Sequence, residues 1–136
     1  MSCSSKELND FLAGWLETSE GNKQAFIRLK DHLESQPGIG CEFHPREGIT
    51  YSLRAIRERQ QERSLVMLID VIEDEPRWLS ICFYADMIED PLEKGDYVPQ
   101  GLLGEDALCF DLEEYEEEEL GYIQQRMDEA VRNAGG

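Results

Sequence analysis

Side chains that could orient a ligand lie on neighbouring apolar segments of this sequence. Segments 65–72 and 78–85 flank an acidic, proline-containing loop, 73–77, and this pattern predicts a β-hairpin. Because side chains alternate across a strand, pairing Asp70 with Ser80 places both on one mixed face of the predicted sheet. The candidate ligand-binding residues on or beside this face are Arg54, Asp70, Trp78, Ser80 and Tyr84.

The chemistry of this mixed face depends on Asp70. A carboxylate and a guanidinium among hydroxyl and aromatic groups could bind a small polar molecule. Burial without a partner would raise the pKa of Asp70 and make it a proton acceptor. The alternative is a structural carboxylate that faces water or accepts a hydrogen bond from a neighbour. Those neighbours are Arg54, Ser80 and Tyr84. A small-molecule-binding protein or minor enzyme is therefore our second hypothesis.

Motifs for catalysis and for metal binding are weak. His32 and His44 are the two histidines, and neither a G-x-S-x-G elbow nor a P-loop occurs. Cys41 and His44 have a spacing that zinc ligands use, but in a strand they point to opposite faces. The acidic segment 86–96 does not match a calcium-binding EF-hand loop. We therefore expect no metal and no cofactor, and we favour a protein that is not an enzyme.

The net charge of −17 is unevenly distributed along the chain. Residues 1–63 carry a net charge of −1, whereas residues 64–136 carry −16. A negative field repels phosphate backbones and anionic lipid surfaces, so we expect neither nucleic-acid nor membrane binding. No run of about 18 apolar residues is present, which argues against a membrane-spanning helix.

Two clusters of opposite charge could take part in association. Arginines crowd the segment 54–63, and six glutamates lie in 113–119. The clusters could meet within one monomer or across the two-fold axis of a dimer, or both could be solvated surface. The candidate interaction residues are Arg57, Arg59, Arg63, Glu113, Glu114, Glu116 and Glu117. Our first hypothesis is a homodimeric, acidic, non-enzymatic binding or interaction domain that docks a basic protein partner.

A length of 136 residues suits a single domain, 1–136. The first residues lack a charged segment followed by an apolar one, so we predict a cytoplasmic location. The four cysteines form no C-x-x-C pair. Cys82 and Cys109 lie in apolar surroundings, and in a reducing compartment we expect them to be packed thiols.

The periodicity of apolar residues predicts the elements that position these groups. Two N-terminal helices are expected over residues 5–17 and 23–35, and a long C-terminal helix runs from an N-cap at Asp111 to about residue 133. Strands are expected at 41–45, 49–56, 65–72 and 78–85, with a brief fifth at 107–110. The segment 86–106 is expected to be irregular.

The order of these elements predicts an α+β fold. Consecutive strands usually neighbour one another, so we expect an antiparallel β-meander of four to five strands. The other face of the predicted hairpin is entirely apolar, and we expect the helices to pack on it. Its residues are Leu65, Met67, Ile69, Val71, Leu79, Ile81, Phe83 and Ala85.

Overall fold

A computed structural model describes residues 5–57 and 64–135, and that part of the chain contains three α-helices and six β-strands. The helices are α1 (Lys6–Gly14), α2 (Asn22–Glu34) and α3 (Glu117–Gly135). The strands are β1 (Ile39–Arg46), β2 (Thr50–Arg57), β3 (Leu65–Ile72), β4 (Trp78–Tyr84), β5 (Asp96–Leu102) and β6 (Glu105–Leu112). A 3-10 turn, Ala85–Met87, follows β4. The predicted α+β class is confirmed.

All six strands form one antiparallel sheet in the order β1-β2-β3-β4-β6-β5. The hairpin register is the predicted one, with Asp70 opposite Ser80 and Ile72 opposite Trp78. The meander holds through the first four strands. After β4, the next strand in sequence, β5, lies at the edge of the sheet. The last strand, β6, then fills the position between β4 and β5. The sheet therefore has six strands rather than four to five.

The unexpected strand, β5, lies inside the segment that was predicted to be irregular. Residues 96–101 are all exposed, because β5 is an edge strand, so they show no apolar alternation. Pro99 suits such an edge, where one side of the strand has no hydrogen-bonding partner. The pairing with β6 is also interrupted by a bulge between Val98 and Leu102. For these reasons the sequence pattern did not predict β5.

The C-terminal helix begins at Glu117, so the predicted N-cap at Asp111 is wrong. Leu112 still belongs to β6 and lies opposite Leu79 of β4, because the alternation of apolar residues continues through that position. The intervening loop, 113–116, is held by a backbone hydrogen bond of 2.7 Å from Tyr115 to the carbonyl of Glu20.

The two N-terminal helices match their predicted positions closely. Helix α1 ends at Gly14, three residues before the predicted end, and α2 is displaced by one residue. The Ser5 hydroxyl oxygen caps α1 by accepting a 3.1 Å hydrogen bond from the Leu8 N–H. No helix within 5–57 or 64–135 is long and apolar enough to cross a membrane.

The apolar face of the sheet packs against all three helices, as predicted. Leu53, Ile69 and Ile81, at the centre of β2, β3 and β4, are fully buried. Leu29 of α2 and Met127 of α3 are fully buried on the other side of the same core. Each such side chain contributes about 1.5–3 kcal/mol through removal of its surface from water, so this layer is the main source of stability.

The predicted thiols at Cys82 and Cys109 are instead joined in a disulfide. The two residues are directly opposite each other on β4 and β6, with their Cα atoms 4.1 Å apart. Cys41 is also disulfide-bonded, and no described cysteine is free. The sequence could not reveal the Cys82–Cys109 pairing because it depends on β6, rather than β5, lying next to β4.

The β3–β4 loop is fastened to α1 through Arg77. Its guanidinium lies 5.0 Å from the ring centre of Phe11, and 5.1 and 5.5 Å from those of Tyr51 and Trp15. Arg77 also pairs with Glu73 at 2.9 Å, and the Tyr51 hydroxyl donates to the same carboxylate. Arg77, followed by Tyr51, holds the pKa of Glu73 below its usual value. This cluster joins α1, β2 and the loop.

Replacing Arg77 with alanine should destabilise the protein by about 2 kcal/mol, because a stacked guanidinium and the partner of a half-buried carboxylate are both lost. Lys6→Ala is the matched control, since its ion pair with Asp10 is solvent-exposed and should contribute less than about 1 kcal/mol. Urea unfolding followed by circular dichroism measures both values. Equal effects of the two substitutions would contradict the structural role of Arg77.

Candidate functional site

The mixed face of the sheet is the candidate site, and a polar row crosses it. The helices and the 3-10 turn contribute to the core on the opposite face. Neighbouring strands are about 4.8 Å apart, so successive side chains in the row are close together. In strand order β1, β2, β3, β4 and β6, the row is His44, Ser52, Asp70, Ser80 and Asp111.

Asp70 is held in an incomplete polar cluster at the middle of this row. Burial raises the pKa of Asp70, and the nearby Ser52 hydroxyl and Arg54 charge oppose this rise only in part. Asp70 Oδ1, Ser52 Oγ and Arg54 Nε are buried and have no hydrogen-bond partner among the described residues. An unpaired buried polar atom costs about 1–3 kcal/mol, so this cluster favours binding of a group that would satisfy it.

Asp111 lies on the far side of Ser80 from Asp70. Partial burial is the largest cause of the raised pKa of Asp111, followed by repulsion from Asp96, and the Ser80 hydroxyl lowers it. Two strand spacings, about 10 Å, separate Asp70 from Asp111 along the row. A hydrogen-bond donor placed over Ser80 would therefore meet two carboxylates whose charged forms are disfavoured.

The structure brings together only some of the predicted ligand-binding residues. Arg54, Asp70 and Ser80 are neighbours on the mixed face. Trp78 and Tyr84 stand six residues apart on one strand, which is about 20 Å. Tyr84 is 2% exposed, and the Trp78 indole donates to Asp74 at the end of the sheet. The five residues therefore do not form one compact site.

The predicted basic cluster is divided between different parts of the molecule. Arg54 belongs to the mixed face, whereas Arg57 donates a 3.1 Å hydrogen bond to the Val131 carbonyl near the end of α3. A cation suits this position because the carbonyl end of a helix is negative. Arg59 and Arg63 lie outside the described residues.

The predicted acidic cluster is only partly available for a partner. Glu117 pairs with Arg28 of α2 at 2.8 Å, so its charge is compensated within the monomer. Glu113, Glu114 and Glu116 are exposed in the loop that precedes α3.

One hydrogen bond between a histidine and an aspartate was missed by sequence reasoning. His32 Nε2 lies 2.7 Å from Asp128 Oδ1, and the Gln36 side-chain amide donates to the same oxygen at 2.9 Å. The partners are 96 residues apart in sequence, so no local motif could reveal them. They bridge α2 and α3, and we assign the contact to helix packing.

Four open depressions of about 330–820 Å³ on the described surface contain none of the predicted ligand-binding residues. Within 5–57 and 64–135, no group of three or more His, Cys, Asp or Glu side chains is arranged to hold a metal ion.

Comparison with known proteins gives no relative from which a role could be transferred. No family model matches the chain, and neither the curated proteins nor the solved structures contain a match. The function must therefore be inferred from the surfaces described above.

The stability of the Asp70→Asn variant, relative to that of wild type, should increase as the pH rises. The raised pKa means that ionising Asp70 costs stability, and this cost grows as the pH rises from about 3.9, the usual value for aspartate, through the folded-state pKa. The amide cannot ionise, so the variant escapes the cost. Urea unfolding at several pH values between about 4 and 7 measures the difference.

The control for this experiment is Glu47→Gln, at an exposed carboxylate in the β1–β2 turn, which should stay within about 0.5 kcal/mol of wild type. A difference between Asp70→Asn and wild type that is constant or declines with rising pH would show that the Asp70 carboxylate is not disfavoured by burial.

Proposed function

We propose that this chain is a non-enzymatic binding domain that docks a basic protein partner on one acidic end of its sheet. The acidic end is the surface formed by the carboxylates of two loops, the β3–β4 loop and the loop before α3. Its residues are Asp74, Glu75, Glu113, Glu114 and Glu116, and all five are exposed.

The observation that carries this proposal is the position of Asn22, which is 1% exposed. Its side-chain amide donates to the Arg77 carbonyl at 2.7 Å and to the Glu113 carbonyl at 2.9 Å. Buried hydrogen bonds of this kind fix the backbone that they join. The two acidic loops are therefore held side by side as one surface.

The carboxylates of the acidic end form no close ion pair within the described part of the chain. None of its five carboxylates has a lysine or arginine within 4 Å there, whereas Glu119 nearby is paired with Lys94. Glu113, Glu114 and Glu116 also line an open depression of about 440 Å³ together with Asp111. Such a surface attracts cations over a distance and favours fast association with a basic protein.

A small-molecule site on the mixed face, in a binding protein or a minor enzyme, is the second candidate. The unpaired atoms of Ser52, Arg54 and Asp70 favour it. Small-molecule sites are usually concave, however, and none of the four depressions includes these residues. We therefore rank this candidate below the basic protein partner.

The cytoplasmic location remains a prediction that this proposal does not require. Cytosolic proteins are kept reduced, so the Cys82–Cys109 disulfide argues for an oxidising compartment instead. The acidic end is formed by loops that contain neither cysteine. Docking of a basic partner is thus expected in either location.

Neutralising the acidic end should weaken binding of a cationic probe, such as a lysine- and arginine-rich peptide. The triple variant Glu113→Gln, Glu114→Gln, Glu116→Gln should raise the dissociation constant by at least about tenfold, because each substitution removes an uncompensated carboxylate while keeping its shape. Isothermal titration calorimetry at physiological salt measures this change.

The matched control is the triple variant Glu7→Gln, Glu47→Gln, Glu89→Gln, which alters three exposed glutamates elsewhere and has the same net charge. It should change the dissociation constant by less than about threefold. Equal losses in the two triple variants would mean attraction to the overall charge alone, and would overturn a defined site at the acidic end.

A further inference from the structure

The mixed face combines unpaired polar atoms with uncovered apolar side chains. On one side of the polar row lie Ile72 and Trp78, and on the other lie Leu68 and the Cys82–Cys109 disulfide. Ile72, Trp78 and Leu68 remain half-exposed. Within the row, Ser52 is 8% exposed and its hydroxyl has no partner among the described residues.

We propose that this mixed face is the interface of a homodimer, in which two sheets pack face to face about a two-fold axis parallel to their strands. The acidic end and the mixed face meet at Asp111. The five carboxylates that define the acidic end are not among the dimer contacts described below, so the dimer does not require the proposed basic partner.

The order of the strands makes the mixed face self-complementary. An axis between β3 and β4, at the centre of the six-stranded sheet, places β3 over β4 of the second copy. It also places β2 over β6 of that copy and β1 over β5. Because the axis runs along the strands, each row of one copy faces the same row of the other. Interfaces of this kind are isologous, so every contact occurs twice.

The contacts next to the axis pair apolar with apolar and polar with polar side chains. Ile72 faces Trp78 of the second copy, an aliphatic side chain against an indole. Asp70 faces Ser80 of the second copy, whose hydroxyl can donate to the unpaired Oδ1. Aligned sheets are rotated by about 30°, so these relations hold best for β3 and β4, next to the axis.

The contacts next to the centre supply the other missing partners. Ser52 faces Asp111 of the second copy, which can accept from the unpaired hydroxyl. Arg54 lies diagonally across from the same carboxylate, so opposite charges meet twice across the axis. The pairing of Glu42 with Asp96 is unfavourable, but it falls at the rim, where solvent screens it.

The size of the face suits a dimer. Six strands at about 4.8 Å, with about eight residues at 3.3 Å each, give a projected area of roughly 760 Å². Standard interfaces bury about 800 Å² of accessible surface per partner, a similar value. A face with charges of both signs and half-exposed apolar side chains fits a second copy better than a uniformly basic partner.

The test is the mass of the full-length protein in solution at about 0.15 M salt, without reductant, by sedimentation equilibrium. Wild type should have twice the monomer mass of 15.7 kDa. Ile72→Arg and Ser80→Arg each place a cation on one of the two strands next to the axis and should raise the dimer dissociation constant by at least about a hundredfold. Leu103→Arg, at a residue 67% exposed in the β5–β6 turn, should leave it unchanged.

Cross-linking tests the same interface if an arginine variant fails to fold. Stacked sheets lie about 10 Å apart, which is too far for a direct disulfide. A bis-maleimide linker of about 10 Å should therefore join Asp70→Cys to Ser80→Cys in a covalent heterodimer, whereas the same linker should not join Glu47→Cys to Ser80→Cys. A monomeric wild type would overturn the proposal, as would a dimer that persists in both folded arginine variants. A monomer with added mass that is lost in Asp70→Asn would also overturn it, in favour of a small-molecule site.

Discussion

The fold depends on one constraint: the central hairpin has a face made only of apolar residues, and that face has to be covered. In β3, Met67 and Ile69 point to this side while Leu68 and Asp70 point to the other. All three helices contribute to the layer that covers it. The sheet consequently has one dry face and one mixed face, and the mixed face is where unpaired polar groups and half-exposed apolar groups collect.

Polar contacts between residues far apart in sequence hold the loops against the core that hydrophobic burial forms. Arg77 is enclosed by aromatic rings from α1 and β2, and Asn22 holds the carbonyls of Arg77 and Glu113 together. The two loops joined by Asn22 are both acidic, and their charges repel. The buried hydrogen bonds offset that repulsion, so a concentration of negative charge is maintained at one end of the sheet.

The two proposed surfaces differ in chemistry and therefore in partner. The acidic end carries one sign of charge and suits a basic protein. The mixed face carries both signs between apolar rows and suits its own copy. A two-fold axis along the strands leaves both acidic ends at the same end of the dimer, so one basic partner could engage two of them. Such bivalent engagement strengthens binding without any new type of contact.

The sequence by itself determined the two N-terminal helices, the first four strands and the apolar face of the central hairpin, because helix and strand periods and the alternation of β3 and β4 are properties of short segments. It did not reveal β5 or the start of α3. It placed Asp70 opposite Ser80 correctly, since the 73–77 loop fixes that register. Only the tertiary structure decided what depends on non-neighbouring strands: the insertion of β6 beside β4, the Cys82–Cys109 disulfide, and Asp111 joining the polar row. These follow from chain crossing and burial over long distances, which carry no local pattern.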